Sequence, residues 1–178
     1  MTSWLRRTTR ALVSPGHRIS CDRDVWEEGQ AELRRRGGGH RESGAFLLGA
    51  AEGRRRRVER FVYYDDVDPH ALDSGVVDLD GAAFGPLWSL CRRNGLSVVA
   101  DVHTHPRRAF FSPTDRANPM VDEPGHLALV LPDYAAAPYS ARATREWALY
   151  EYLGCGPDGH HRWADLGRPD RLLHIGRW

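Results

Sequence analysis

Apolar residues recur along this chain with two periods, and the switches between them divide it into elements. Over residues 22–36, Val25, Trp26, Gln30 and Leu33 fall near one side at helical spacing. Asp22 or Asp24 stands at the start, Arg34-Arg35-Arg36 at the end where cations suit the helix dipole, and Gly37-Gly38-Gly39 stops the run. Residues 18–21 suit a short strand before it. Residues 44–51 and 57–64 flank Glu52-Gly53 and predict a hairpin. Asp80 then caps a second helix over residues 81–93, whose stripe of Phe84, Leu87, Trp88 and Cys91 reads as core. Residues 96–102 and 127–131 are continuous apolar runs, as buried strands are, and a final hairpin over 145–153 and 160–166 turns at Pro157-Asp158-Gly159. At 178 residues and 41% hydrophobic content, this order suits one α/β domain. Residues 1–16, ending in Ser14-Pro15-Gly16, read as an N-terminal extension, and residues 17–178 as the domain.

The strand over 96–102 runs into Val102-His103-Thr104-His105-Pro106. Side chains of a strand alternate faces, so His103 and His105 project from the same side at its C-terminal end. Pro106 lacks a backbone donor and takes the chain out of the sheet. Ser112-Pro113-Thr114-Asp115 then has the form of a helix start, with Ser112 as N-cap, Pro113 first and Asp115 third, where a carboxylate can turn back to the strand end. Two imidazoles and one carboxylate are the three protein ligands of a catalytic zinc site whose fourth position holds water, although an O/N donor set also admits other divalent ions. The competing reading is a surface His-Thr-His beside an ordinary helix cap.

His103-Thr104-His105, six residues from Pro106 to Phe111, then Ser112-x-x-Asp115 resembles the signature of the JAB/MPN (JAMM) metalloproteases, and most closely the short bacterial members. Members usually have seven residues in that gap, so this loop is one shorter. Arg41-Glu42-Ser43-Gly44-Ala45-Phe46-Leu47-Leu48-Gly49 is similar to the family's glutamate and the Gly-bearing apolar strand after it; Glu52 and Glu59 fit less well.

The resemblance covers residues 17–166 in outline, with 42–49 and 102–115 specific. It implies a single JAB/MPN-type α/β domain, a mixed β-sheet flanked by helices with cytidine-deaminase-like layering. It also implies one zinc per chain with a bound water, held by His103, His105 and Asp115; Glu42 as general base; and Ser112 as donor to the oxyanion of a hydrolysed amide. The implied substrate is the (iso)peptide bond after the C-terminal glycines of a ubiquitin-like protein, or an adduct on a small sulfur-carrier protein, with E1-like and E2-like proteins as expected partners. A non-catalytic MPN scaffold is the alternative of another class, although here every ligand position is filled.

Net charge is +1, so no global field argues for nucleic acid or membrane. Arg54 to Arg57 are four consecutive arginines at a predicted hairpin tip, more simply a solvated edge than a nucleic-acid site. Asp65, Asp66, Asp68, Asp73, Asp78 and Asp80 make an acidic connector that could face a basic partner. His160 and His161 sit beside the final turn and read as exposed. Cys21, Cys91 and Cys155 form no ligand pair and suit reduced, mostly buried thiols in a cytoplasmic protein; no apolar stretch reaches transmembrane length. All 25 basic residues are arginine, so no side-chain amine is available for isopeptide attachment to this chain.

Overall fold

The computed structural model describes residues 17–74 and 84–176, together with Leu79 and Gly81. The expected N-terminal extension and the Asp80 cap lie outside the described residues. Strand β1 (Ile19–Asp22) passes directly into helix α1 (Arg23–Gly37), because Asp22 is still extended and its carboxylate accepts the backbone N–H of Asp24. Gly38, at φ 59°, takes the left-handed position past the helix end and donates its N–H to the Arg35 carbonyl. The hairpin of β2 (Gly44–Glu52) and β3 (Arg55–Tyr63) follows, then a single helical turn, α2 (Tyr64–Val67), that periodicity did not predict. The chain continues through α3 (Phe84–Asn94), β4 (Ser97–Thr104), α4 (Pro113–Ala117), β5 (Leu127–Leu131), β6 (Ala148–Cys155), β7 (His161–Asp165) and β8 (Leu173–Gly176).

The strands form one mixed sheet in the order β7-β6-β5-β4-β2-β3-β1-β8. β4 is central, antiparallel to β2 and parallel to β5, and β8 closes the far edge parallel to β1. Four residues suffice for β8 because pairing to β1, not its own pattern, makes it a strand, which is why it was missed in the sequence. The sheet curls until its flanks meet. Arg18, just before β1, makes a two-pronged ion pair of 2.7 and 2.8 Å with Glu151 on β6, although four strands separate β6 from β1 in the order. Trp26 of α1 stacks on Trp147, just before β6, inside that curl.

One face of the sheet, with Ala45, Leu47, Leu127, Leu129 and Leu131, packs on Trp26 and Leu33 of α1 in the main core. The opposite face carries two smaller clusters. Phe46 and Leu48 pack with Tyr64, Leu87 and Cys91 on one side, and Ala128 and Val130 with Phe111 and Tyr150 on the other. Asp101 and His103 of β4 lie in the seam between the clusters, since they pair laterally with Phe46 and Gly44 on β2 and with Ala128 and Val130 on β5.

Three expectations need correction. Trp88 is not core: it is 37% exposed, and the buried stripe of α3 is Leu87 and Cys91. Cys155 is exposed, unlike Cys21 and Cys91, because it ends β6 at the hairpin tip. His161 is half-buried, its Nδ1 lying 2.7 Å from the Tyr152 hydroxyl. The acidic connector is partly consumed inside the protein: Asp65 and Asp66 both pair with Arg36, whose guanidinium lies over the Tyr63 ring. Among the described residues no helix is long and apolar enough to cross a membrane.

Candidate metal centre

His103 is the penultimate residue of β4. His105 lies just past the strand, yet its backbone N–H still bonds to the Leu131 carbonyl and carries the ladder one step further. The alternation therefore persists, and the two Nε2 atoms converge to 3.2 Å. Asp115 arrives from α4. Ser112 accepts the Asp115 N–H through its Oγ while Asp115 Oδ2 accepts the Ser112 N–H, a reciprocal capping box that locks the carboxylate rotamer. Asp115 Oδ2 then stands 3.3 Å from His105 Nε2 and 3.7 Å from His103 Nε2. The shorter loop between His105 and Ser112 thus still delivers the third donor.

A tetrahedral ion with bonds of about 2.0–2.1 Å has donor–donor edges of about 3.3–3.4 Å. The three observed edges scatter around that value, and three oxygen and nitrogen donors with no thiolate suit a hydrolytic divalent ion. Among the described residues this is the cluster that could hold a metal, and the donors present fit one.

Glu42 lies before β2 and is placed by register. Gly44 pairs with His103, the Thr104 N–H bonds to the Ser43 carbonyl, and Thr104 Oγ1 accepts the Ser43 N–H at 3.0 Å. Continuing one step sets Glu42 opposite His105, with Oε1 3.9 Å from Nε2. Its side chain is only 15% exposed. Burial holds its carboxyl above the usual range, against the pull of His105 and His103. Glu52 and Glu59 are exposed on the hairpin and do not approach the cluster.

Burial opposes charge on His103, but the carboxylates of Asp101 and Asp115 outweigh it and push the imidazole up to about 9. Burial also opposes ionisation of Asp115; the two histidines and the Ser112 N–H nonetheless hold it far below the usual carboxylate range. Two aromatic rings wall the site: Phe111 lies 6.1 Å from the His103 ring, and Phe110, 44% exposed, meets the His105 ring edge-on at 4.8 Å.

Sequence reasoning passed over three residues behind the cluster. Asp101, on the same side of β4 as His103, receives hydrogen bonds from His126 Nε2 at 2.6 Å and from the Tyr64 hydroxyl at 3.1 Å. The available signal was an aspartate inside an apolar strand, two residues before a predicted ligand.

The family model of prokaryotic homologs of the JAB domain matches residues 23–150. A probable metalloprotease of Sinorhizobium fredii is 40% identical over 47 residues, a stretch that is 26% of this chain and 29% of that protein. The match therefore spans less than a third of that relative's length. The solution structure of protein DSY2949 from Desulfitobacterium hafniense superposes with a TM-score of 0.56 at 18% identity, covering 90% of this chain and 94% of that one, a likeness of fold. A solution structure from Salinibacter ruber superposes with a TM-score of 0.47 at 19% identity, over 85% and 92% of the two chains. The matched region runs from the start of α1 into β6 and includes Glu42, the histidine pair and Asp115, and on this match the chain belongs to the prokaryotic JAB-domain family of metallo-hydrolases.

Proposed function

We propose that this protein is a zinc-dependent peptidase or isopeptidase that hydrolyses the bond after the C-terminal glycines of a ubiquitin-like protein. The observation that carries the reading is the convergence of His103, His105 and Asp115 with a mostly buried Glu42 on the same side of one strand end. Zinc held by the three donors would supply a Lewis acid and lower the pKa of its water towards about 7.

The remaining chemistry falls to the chain's own residues. A carboxylate whose proton affinity is raised by burial is suited to take a proton from water and return it to a leaving amine, which is the role of Glu42. Ser112 Oγ accepts the Asp115 N–H with a lone pair, so its own hydrogen remains free to donate to the oxyanion of the scissile carbonyl. Cap and donor are compatible in one hydroxyl. Phe110 crowds the mouth beside His105, which favours a slim, extended segment such as a diglycine tail over a bulky one. A carrier of that tail, whether a ubiquitin-like modifier or a sulfur-carrier protein, is the proposed partner, with E1-like and E2-like proteins acting on it.

Elemental analysis of the purified protein and of a His103→Ala/His105→Ala variant comes first. About one zinc per chain in the wild type and none in the variant is the expected result. Diglycine-tailed fusions, linear and lysine-linked, are then incubated with the zinc-loaded protein. Cleavage after the second glycine, abolished by a chelator, supports the reading. A wild type that takes up no metal would sink it and bring the scaffold alternative forward.

A further inference from the structure

Asp101 is 1% exposed, in the seam between the two smaller clusters and behind the metal ligands as seen from solvent. An ionised carboxylate there is costly unless its lone pairs are occupied. Two donors occupy them from separate elements: His126 just before β5 reaches Oδ1, and Tyr64 at the start of α2 reaches Oδ2. Both contacts fix the carboxylate in place.

His103 stands two residues on and projects from the same side of β4. Its ring is oriented end to end between two groups. Nδ1 points back at Asp101, 3.9 Å from Oδ2, while Nε2 points forward at Asp115 Oδ2 and His105 Nε2. At 3.9 Å the pair is within ion-pair range and too long for a direct hydrogen bond, so Asp101 acts through its charge. A negative charge behind Nδ1 favours the tautomer with its proton there, leaving the Nε2 lone pair for the ion, and it raises the basicity of that nitrogen.

We propose that Asp101 is the positioning residue of the metal centre: anchored by His126 and Tyr64, it holds His103 in the tautomer and orientation that present Nε2 to the ion. The proposal rests on the metal-site reading above, and it wires two distant segments to the site. The start of α2 and the residue entering β5 both reach His103 through this carboxylate.

The test is the zinc dissociation constant, measured with a competing chelator on the full chain. Asp101→Asn keeps the shape and removes the charge, and affinity should weaken about 10- to 100-fold. Tyr64→Phe removes one anchor and leaves the charge, so it should weaken zinc binding less. A second readout is the ring nitrogens of His103 in ¹⁵N-histidine NMR spectra of the zinc-loaded wild type, assigned by comparison with His103→Gln. The proton should sit on Nδ1.

An Asp101→Asn protein that folds and binds zinc with the wild-type constant would overturn the proposal. So would a spectrum with the His103 proton on Nε2, which decides the matter even if the variant fails to fold. Absence of zinc binding in the wild type would instead remove the metal centre itself, an outcome distinct from equal binding by wild type and variant.

Discussion

Glu42 Oε1 stands 3.9 Å from His105 Nε2, Glu42 lying two residues before β2 and His105 one past the end of β4. The separation leaves the carboxylate beside the three-donor cluster without making it a fourth ligand. Replacing Glu42 with Gln, which keeps the shape and removes the base, should leave zinc content unchanged and lower kcat about 100- to 10,000-fold. Elemental analysis and turnover of a diglycine-tailed fusion check the two halves. Loss of zinc in that variant would make Glu42 a ligand.

His103 gives metal uptake a defined pH dependence. Its pKa in the ion-free site is raised from about 6.5 to about 9 by Asp101 and Asp115, against burial, so below about 9 the imidazole carries a proton that an incoming ion must displace. Apparent zinc affinity should therefore fall as pH falls below about 9, by about tenfold per pH unit while a single proton is displaced. Chelator competition across the neutral and alkaline range measures the slope. A flat profile from neutral pH up to about 9 would show that His103 is already neutral there.

Gly44 is required by a close approach. A Cβ built at this position collides with the edge of the Tyr64 ring, which is itself fully buried and hydrogen-bonded to Asp101. Gly44→Ala should destabilise the fold by about 1–3 kcal/mol, as overpacking of a tight core does, and denaturant unfolding would register it.

Arg18 and Glu151 hold the curl of the sheet. Each is mostly buried, and two short charge-assisted bonds join them. Arg18→Ala would leave the Glu151 carboxylate with the exposed Arg54, 3.7 Å away, and the more distant Arg56, and should cost about 2–3 kcal/mol of unfolding free energy. Glu151→Gln, which keeps one acceptor for Arg18, should cost less. Equal stability of all three proteins would mean that the curl is held by the Trp26–Trp147 core alone.

What the sequence determined by itself was local. His103 and His105 share a face because strands alternate, and Asp115 turns back because Ser112 and Pro113 open a helix two residues before it; both follow from a few adjacent residues. The same holds for α1 between Asp22 and Gly38, and for the buried run of β5. Tertiary structure decided which glutamate lies beside the three-donor cluster. Glu42, Glu52 and Glu59 are all near the first hairpin, and only the antiparallel register of β2 on β4 brings Glu42 opposite His105. Asp101 was illegible for the same reason, since its partners Tyr64 and His126 lie 37 and 25 residues away along the chain. The β8 strand, short and defined by its neighbour β1, is a strand only by pairing with a segment about 150 residues earlier in the chain. Periodicity reports what a segment can bury, whereas register and curl arise from contacts between segments distant in the chain, which no local pattern encodes.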